Sequence, residues 1–171
     1  MLELADRVTM KGNAVTLVGQ KEIKVGDQAP DATVVANDLS EVKISSFKGK
    51  KLIISVVPSL DTGICDKQTK RFNKEATTLG NDVVVLTISV DLPFAQKRWC
   101  AATDSNNVKT LSDYRYGSFG DAYGLMIKSL RLLARAIYVV DQKGVVRYVQ
   151  LVKEITTEPD YESVLKAVKS L

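Results

Sequence analysis

Apolar residues recur along the chain with two different periods, and these predict an order of strands and helices. Residues 7–19 place Gly12 and Asn13 between two short alternating segments, which is typical of a β-hairpin. Three later runs, 52–57, 82–90 and 135–141, are almost continuously apolar. Such runs are typical of strands that are covered on both faces of a sheet. We therefore expect a hairpin followed by at least three buried strands.

The segments between the buried strands predict helices. A helix from Thr62 to the helix breaker Gly80 would gather its apolar residues within about one third of the circumference, at roughly 100° per residue. Those residues are Ile64, Cys65, Phe72, Ala76 and Leu79. A second helix, in DLPFAQKRWCAA, has Asp91 as its expected N-cap and Pro93 in its first turn. Its expected apolar stripe is Leu92, Ala95, Trp99 and Ala102.

The order of these elements predicts a mixed α/β fold. Strand–helix–strand units come first, an antiparallel pair that turns at residues 142–144 follows, and PDYESVLKAVKSL ends the chain as an amphipathic helix. We therefore expect residues 1–171 to form one domain. It would contain a single central mixed β-sheet flanked by helices on both faces, with the β-hairpin at the N-terminus.

The composition narrows the class of protein. The 171 residues are 45% apolar and 26% charged, which is typical of a globular protein. The net charge of +4 is spread along the chain, and no basic tail or basic-aromatic repeat indicates a nucleic-acid partner. The start MLELADRVTM lacks the apolar core of a signal peptide, and the longest apolar runs are too short to span a bilayer. We expect a cytoplasmic protein with neither a nucleic-acid nor a membrane partner.

The counts of histidine and cysteine exclude several kinds of active site. Because there is no histidine, a Ser-His-Asp triad, a Cys-His dyad and a histidine metal site are all excluded. Two cysteines are too few for a four-cysteine zinc or iron–sulfur site. One disulfide, one reactive thiol with a helper, or two inert thiols remain. A merely structural disulfide is disfavoured in a reducing cytosol.

Cys65 lies where the first buried strand passes into a helix, in VVPSLDTGICDKQTKRFN. One interpretation is a small buried apolar residue, since unpaired cysteine is among the most buried residue types. The other is a reactive thiolate, because unpaired N–H groups and the helix dipole stabilise negative charge in the first turn. Strand-to-helix junctions of α/β sheets also commonly hold ligands. Thr62 is a candidate cap whose hydroxyl could reach the thiolate or a bound oxygen.

The cation for such a thiolate is not evident from its neighbours in sequence. Lys67, Lys70 and Lys74 fall on the helix face opposite Cys65, so we expect them to face solvent. Arg135, at the entrance of a buried strand, is a better candidate. A surface arginine at a strand end is the alternative interpretation.

Cys100 also has two interpretations. It lies beside the expected apolar stripe of the second helix, where it could be a packing thiol. A thiol that becomes a sulfenic acid, however, needs a second thiol to form a disulfide and avoid overoxidation. Cys100 is the only residue of this chain that could supply one.

The segment PSLDTGIC places Pro58, Thr62 and Cys65 in the spacing P-x-x-x-T-x-x-C, which resembles the peroxidatic signature of the peroxiredoxins. The resemblance extends over nearly the whole chain. Its segments are VGDQAPDATVV, PSLDTGICDKQTKRFN, DLPFAQKRWC, TLSDYRYGSFGDAYGL, ARAIYVVD and EPDYESVL. Together they resemble the bacterial thiol peroxidase subgroup, the atypical two-cysteine peroxiredoxins.

The resemblance implies a thioredoxin-like fold, usually in a homodimer, and a peroxidase that reduces hydrogen peroxide and organic hydroperoxides. It implies catalytic roles for Thr62, Cys65 and Arg135, with Pro58 shaping the pocket. Cys100 would be the resolving cysteine, forming an intramolecular Cys65–Cys100 disulfide that thioredoxin reduces. No metal, haem or flavin cofactor is implied.

Three other functions have less support from the sequence. A catalytically inactive, purely structural thioredoxin-fold protein would leave both cysteines without a role. A thioredoxin-like disulfide reductase lacks support because the chain has no C-x-x-C pair. A redox-sensing module that switches partners through Cys65 and Cys100 would leave Thr62 and Arg135 unexplained, although such a role could be added to the enzymatic one.

Overall fold

The structure, a computed structural model, describes all 171 residues and contains ten strands and four helices. The strands are β1 (Leu2–Met10), β2 (Asn13–Gly19), β3 (Thr33–Val35), β4 (Glu41–Lys43), β5 (Lys51–Val56), β6 (Val83–Ser89), β7 (Lys109–Ser112), β8 (Met126–Ile127), β9 (Ala136–Val140) and β10 (Val146–Leu151). The helices are α1 (Gly63–Ala76), α2 (Pro93–Thr103), α3 (Ser118–Ala122) and α4 (Tyr161–Lys169), with a 3-10 turn at Ile44–Phe47. None of the helices combines the length and apolar character needed to cross a membrane.

Seven strands form the central sheet, in the order β10-β9-β5-β6-β7-β3-β4. Strands β5, β6 and β7 run parallel to one another, whereas β9 is antiparallel to β5 and β3 is antiparallel to β7. The sheet is therefore mixed, as predicted. β9 is buried along its whole length and β5 along all but its first residue, which is the burial expected of interior strands covered on both faces.

Helices cover both faces of this sheet, as predicted. Ile54 of β5 belongs to a large core that includes Phe119 of α3. Its neighbour Ile53 belongs to a second core, together with Phe72 of α1 and Val164 of α4. Successive side chains of a strand point to opposite faces, so α1 and α4 cover one face and α3 lies on the other.

The N-terminal hairpin lies outside the central sheet. Strands β1 and β2 pair as predicted, but β8 adds to β2 and completes a separate three-stranded sheet. The prediction of a single sheet was wrong because neither hairpin strand pairs with a strand of the central sheet. The third strand, β8, has only two residues, too few for a recognisable pattern in the sequence. The hairpin turn is Lys11 and Gly12 rather than the predicted Gly12 and Asn13, because Asn13 already belongs to β2 and pairs with Met10. Lys11 has a φ of 51° and Gly12 a φ of 79°. Tight two-residue hairpin turns of type I′ need positive φ at both positions, which glycine adopts readily.

Asp91 is not the N-cap of α2, as had been predicted. The N-cap is Leu92, and the Asp91 carboxylate instead accepts hydrogen bonds from the Ser59 hydroxyl at 2.6 Å and from the Leu60 N–H at 2.8 Å. Asp91 therefore holds the loop between β5 and α1 against the end of β6.

The buried stripe of α2 also differs from the prediction. Its buried residues are Pro93, Gln96 and Trp99, whereas Leu92 is 52% exposed and Ala102 is exposed. Gln96 is buried because its amide donates to the Ser89 hydroxyl and the Leu111 carbonyl, each at 3.0 Å. Hydrophobic periodicity cannot identify a buried polar position of this kind.

Candidate active site

The junction of β5 and α1 is a helix N-terminus with free donors. Thr62 is the N-cap residue, with φ −97° and ψ 147°, and α1 begins at Gly63 as predicted. The helix ends at Ala76, before the predicted breaker Gly80. The N–H groups of the first three helical residues, 63–65, donate to no backbone acceptor. Together with the helix dipole, they favour negative charge in the first turn.

The sulfur of Cys65 has two polar neighbours. The Thr62 hydroxyl donates to Sγ at 2.7 Å, and Nη2 of Arg135 lies 3.4 Å from the same atom. The sequence predicted that the Thr62 side chain caps the helix, but it makes no capping hydrogen bond. Its hydroxyl is directed instead to the sulfur and to the Ser59 carbonyl, which is 3.1 Å away. The side chain of Cys65 is fully buried. Burial alone would suit an inert thiol, but an inert thiol needs no cation beside it.

Arg135 reaches Cys65 through the pairing of β9 with β5. Ala136 lies opposite Val56 in this antiparallel pair, so the residue before β9 lies beside the point where β5 leaves the sheet. Arg135 is only 2% exposed, which excludes the interpretation as a surface arginine. Its Nε donates to the Ile155 carbonyl at 2.8 Å. A buried charge persists only where its donors are satisfied, so these contacts fix the guanidinium in place.

Gln68 is a residue of this site that the sequence analysis did not identify. Its fully buried side chain accepts a hydrogen bond from Nη1 of Arg135 at 2.8 Å and donates to the Ser55 hydroxyl at 2.7 Å. Ser55, in β5, thereby holds Gln68, and Gln68 holds Arg135. A signal was available in the sequence, because Gln68 follows Cys65 by three residues and so lies on the same buried face of α1.

A pocket of about 460 Å³ opens beside this cluster. Its lining residues are Met10, Lys11, Pro58, Thr62, Gly63, Ile64, Lys67, Arg135, Ile155 and Thr156. Pro58 is buried and lines the pocket, as expected. The three lysines of α1 are exposed, as predicted. Lys67 nevertheless lines the pocket, which the angular count did not indicate, and Lys70 forms an ion pair with Asp66 at 2.8 Å.

Cys100 is near Cys65 but is not bonded to it. Both cysteines are free thiols, and both pack in a small cluster with Val57, Leu60 and Trp99. The sulfur of Cys100 lies 3.5 Å from the Thr110 hydroxyl of β7. The indole N–H of Trp99 donates to the Asp66 carboxylate at 3.0 Å, which ties α2 to α1. The structure is therefore that of the dithiol form, with each cysteine held in its own helix.

The arrangement suits a thiolate nucleophile beside donors that hold oxygen atoms. The Arg135 guanidinium, the Thr62 hydroxyl and the free N–H groups of the first turn can each donate to an oxygen that develops negative charge. No three His, Cys, Asp or Glu side chains come together in an arrangement that could hold a metal ion.

Known proteins are similar to this chain in sequence and in fold. The Redoxin family model matches residues 24–165. A thiol peroxidase of Bacillus subtilis (strain 168) is 58% identical over 164 residues, which cover 96% of this chain and 97% of that protein. A thiol peroxidase of Listeria innocua is 56% identical, covering 95% and 98% of the two chains. The crystal structure of a peroxiredoxin-like protein from Aquifex aeolicus is 46% identical and superposes with a TM-score of 0.90, covering 97% and 98%.

Proposed function

Because the chain belongs to the thiol peroxidase family of redoxins, peroxiredoxin-type enzymes that reduce hydroperoxides, we propose that Cys65 is the thiol that attacks the peroxide. The observation that supports this assignment is the contact of its sulfur with both the Thr62 hydroxyl and the buried Arg135 guanidinium. Burying a charged side chain costs free energy. If Cys65 were an inert packing thiol, the position of the Arg135 guanidinium beside it would offset none of this cost.

In the first step, the Cys65 thiolate attacks the terminal oxygen of the hydroperoxide in line with the O–O bond. An S–O bond forms and the O–O bond breaks, so that the sulfur is oxidised to sulfenic acid and the peroxide is reduced. The leaving oxygen takes up a proton and departs as water or an alcohol. Arg135, Thr62 and the N–H groups of the first turn of α1 hold the two oxygens and stabilise the developing charge.

In the second step, the Cys100 thiol attacks the sulfenic sulfur of Cys65. An S–S bond forms, and water carries away the sulfenic oxygen. Reduced thioredoxin then returns both cysteines to thiols by thiol–disulfide exchange and becomes oxidised itself. These steps need no cofactor beyond the protein's own side chains and the dithiol reductant.

We expect the second step to involve movement. A disulfide spans only about 4.4–6.8 Å between Cα atoms. Cys65 lies in the first turn of α1, and Cys100 lies inside α2 with its sulfur beside Thr110. We expect the first turn of α1, the segment around Cys100, or both to unwind on oxidation. Equal hydrogen-exchange protection of both segments in the reduced and the oxidised protein would contradict this expectation.

The proposal includes the setting of the enzyme. The full chain, residues 1–171, would act as one domain in the cytoplasm of a bacterium, as a homodimer. Its substrates would be hydrogen peroxide and organic hydroperoxides, and thioredoxin would be its electron donor. Sedimentation of the reduced protein tests the homodimer directly.

The central test is peroxide-dependent oxidation of NADPH in the presence of thioredoxin and thioredoxin reductase. Cys65→Ser should abolish turnover. Cys100→Ser should lose sustained turnover and consume about one peroxide per chain, because the sulfenic acid forms but is not resolved. Retention of activity in Cys65→Ser would refute the assignment of the nucleophile.

A mass measurement under non-reducing conditions tests the resolving step separately. One equivalent of peroxide should remove two hydrogen atoms from a monomer of the wild-type protein. A covalent dimer would instead assign resolution to a second chain.

A further inference from the structure

One wall of the active-site pocket belongs to the N-terminal hairpin. Met10 and Lys11, at the tip of the hairpin, line the pocket together with Ile155 and Thr156 from the segment between β10 and α4. Lys11 is exposed and Met10 is half-buried. We call the part of the pocket at Thr62 and Arg135, which contact the Cys65 sulfur, its inner part. The wall made of the two segments that are far apart in sequence is its outer wall.

A single carboxylate joins these two segments. Glu154 accepts five hydrogen bonds, and every one of its partners is a donor. The partners are the hydroxyl of Thr9 at 2.7 Å, the N–H groups of Lys11 at 2.9 Å and Gly12 at 3.0 Å, and the N–H and hydroxyl of Thr156 at 3.1 and 2.6 Å. These bonds hold the pKa of Glu154 well below its usual value, so the group is ionised at neutral pH.

The hairpin tip needs an external support of this kind. The third strand, β8, pairs with β2 only at Leu17 and Val18, so the tip is just two strands wide, an arrangement that is marginally stable by itself. Only two backbone hydrogen bonds join the tip to the later segment. They run from Thr9 N–H to the Lys153 carbonyl and from Ile155 N–H to the Thr9 carbonyl. Both of these backbone bonds are made by Thr9, which precedes the turn. The turn residues Lys11 and Gly12 are held to the later segment only by their hydrogen bonds to Glu154.

We propose that Glu154 is a positioning residue that holds the hairpin tip as the outer wall of the substrate pocket, and that this wall determines selectivity for organic hydroperoxides over hydrogen peroxide. The proposal rests on the proposed function, because it takes Cys65 as the reacting thiol. Hydrogen peroxide is small enough to react within the inner part of the site. The organic group of a larger hydroperoxide extends into the 460 Å³ pocket and contacts Met10 and Ile155.

Glu154→Gln tests this role with almost no change in shape. The amide nitrogen of glutamine cannot accept a hydrogen bond, so at least one of the backbone N–H partners, Lys11 or Gly12, loses its acceptor. The measurement is the rate constant for oxidation of Cys65, followed by stopped-flow with cumene hydroperoxide and with hydrogen peroxide. With cumene hydroperoxide we expect a fall of about tenfold, the usual scale for losing an apolar contact in a pocket. With hydrogen peroxide we expect a change of less than about twofold.

Two further variants keep the test decisive. Glu162→Gln is the matched control, since Glu162 is an exposed acid that bonds only to Arg71 and does not line this pocket; its selectivity should equal that of the wild type. Thr9→Val removes one of the five bonds and should shift selectivity in the same direction, by less. It also provides a milder variant should Glu154→Gln fold poorly.

The outcomes separate this inference from the proposed function. An unchanged ratio of the two rate constants in Glu154→Gln, or an equal fall in both, would refute the positioning role while leaving Cys65 as the nucleophile. Failure of the wild-type protein to form a sulfenic acid at Cys65 with either peroxide would refute the proposed function itself.

Discussion

Gln68→Met tests whether Arg135 must be held in place for the first chemical step. Methionine keeps the length and helix propensity of glutamine but neither accepts nor donates a strong hydrogen bond. The variant removes the acceptor of Nη1 of Arg135 and the donor to the Ser55 hydroxyl, both in a fully buried place. The guanidinium would then be free to move away from the sulfur of Cys65.

The contacts that are lost indicate how much the stability and the rate of Cys65 oxidation should fall. A hydrogen bond to a charged group contributes about 1.5–3 kcal/mol and a neutral one about 0.5–1.5 kcal/mol, so Gln68→Met should lower the free energy of unfolding by about 2–4.5 kcal/mol. Complete removal of a donor to a developing oxyanion costs about 100- to 1000-fold in rate. Because Arg135 is displaced rather than removed, we expect the rate constant for oxidation by hydrogen peroxide to fall about 10- to 100-fold.

Trp99 provides the signal for the assay. It is the only tryptophan of the chain and packs in the same cluster as Cys65, so its fluorescence should follow oxidation in a stopped-flow instrument. Alkylation of Cys65 by iodoacetamide should be measured in parallel. Alkylation needs the thiolate but no donor to a leaving oxygen, so it should fall less than oxidation does.

Gln96→Met is the matched control. Gln96 is also fully buried and also makes two hydrogen bonds, but to the Ser89 hydroxyl and the Leu111 carbonyl rather than to Arg135. It should lose no more than about 1–3 kcal/mol of stability, because the change also removes the side-chain oxygen of Gln96, which is buried without a hydrogen-bond partner. It should keep the wild-type rate of oxidation. If Gln68→Met were destabilised yet reacted with hydrogen peroxide as fast as Gln96→Met, the positioning of Arg135 by Gln68 would be wrong.

Three other perturbations have defined outcomes. Thr62→Val should slow oxidation of Cys65 by about 10- to 100-fold while Thr62→Ser stays within about threefold, because only the hydroxyl contacts the sulfur; equal rates in stopped-flow would contradict this. Asp66→Ala removes the acceptor of the Trp99 indole, which ties α2 to α1, and should speed disulfide formation by about two- to tenfold. Quenched-flow thiol counting measures this rate, and slower formation would show that the Trp99–Asp66 bond does not restrain the two helices. The wild-type protein should be more stable than Glu154→Gln above pH 4.5, the pKa of Glu154 in the unfolded chain, and this advantage should shrink as the pH falls below it, because the folded pKa is lowered. Denaturation at several pH values measures the advantage. An advantage that grows in acid would refute the role of the ionised Glu154 carboxylate.

Local patterns in the sequence determined the course of the chain and the chemistry available to it. Apolar periodicity and helix-breaking residues predict the buried strands β5, β6 and β9 and the helix that begins at Gly63. Both signals depend only on residues close together in sequence. The absence of histidine and the place of Cys65 in the first turn of α1 restricted the candidates to thiol chemistry. Their positions made Thr62 and Arg135 candidate partners of Cys65, and the resemblance of PSLDTGIC and its companion segments to the peroxiredoxins then implied catalytic roles for both.

Contacts between distant segments were decided by the tertiary structure alone. Arg135 lies beside Cys65 because β9 pairs with β5 in one register, with Ala136 opposite Val56. Gln68 is buried because that guanidinium needs an acceptor, and Glu154 joins the hairpin to the pocket across more than 140 positions of sequence. The pairing of the two-residue β8 with β2 likewise joins segments that are far apart in sequence. Apart from the place of Gln68 on the Cys65 face of α1, these features leave no local pattern in the sequence. They depend on strand register and on the satisfaction of buried polar groups, which are settled by the packing of the whole chain.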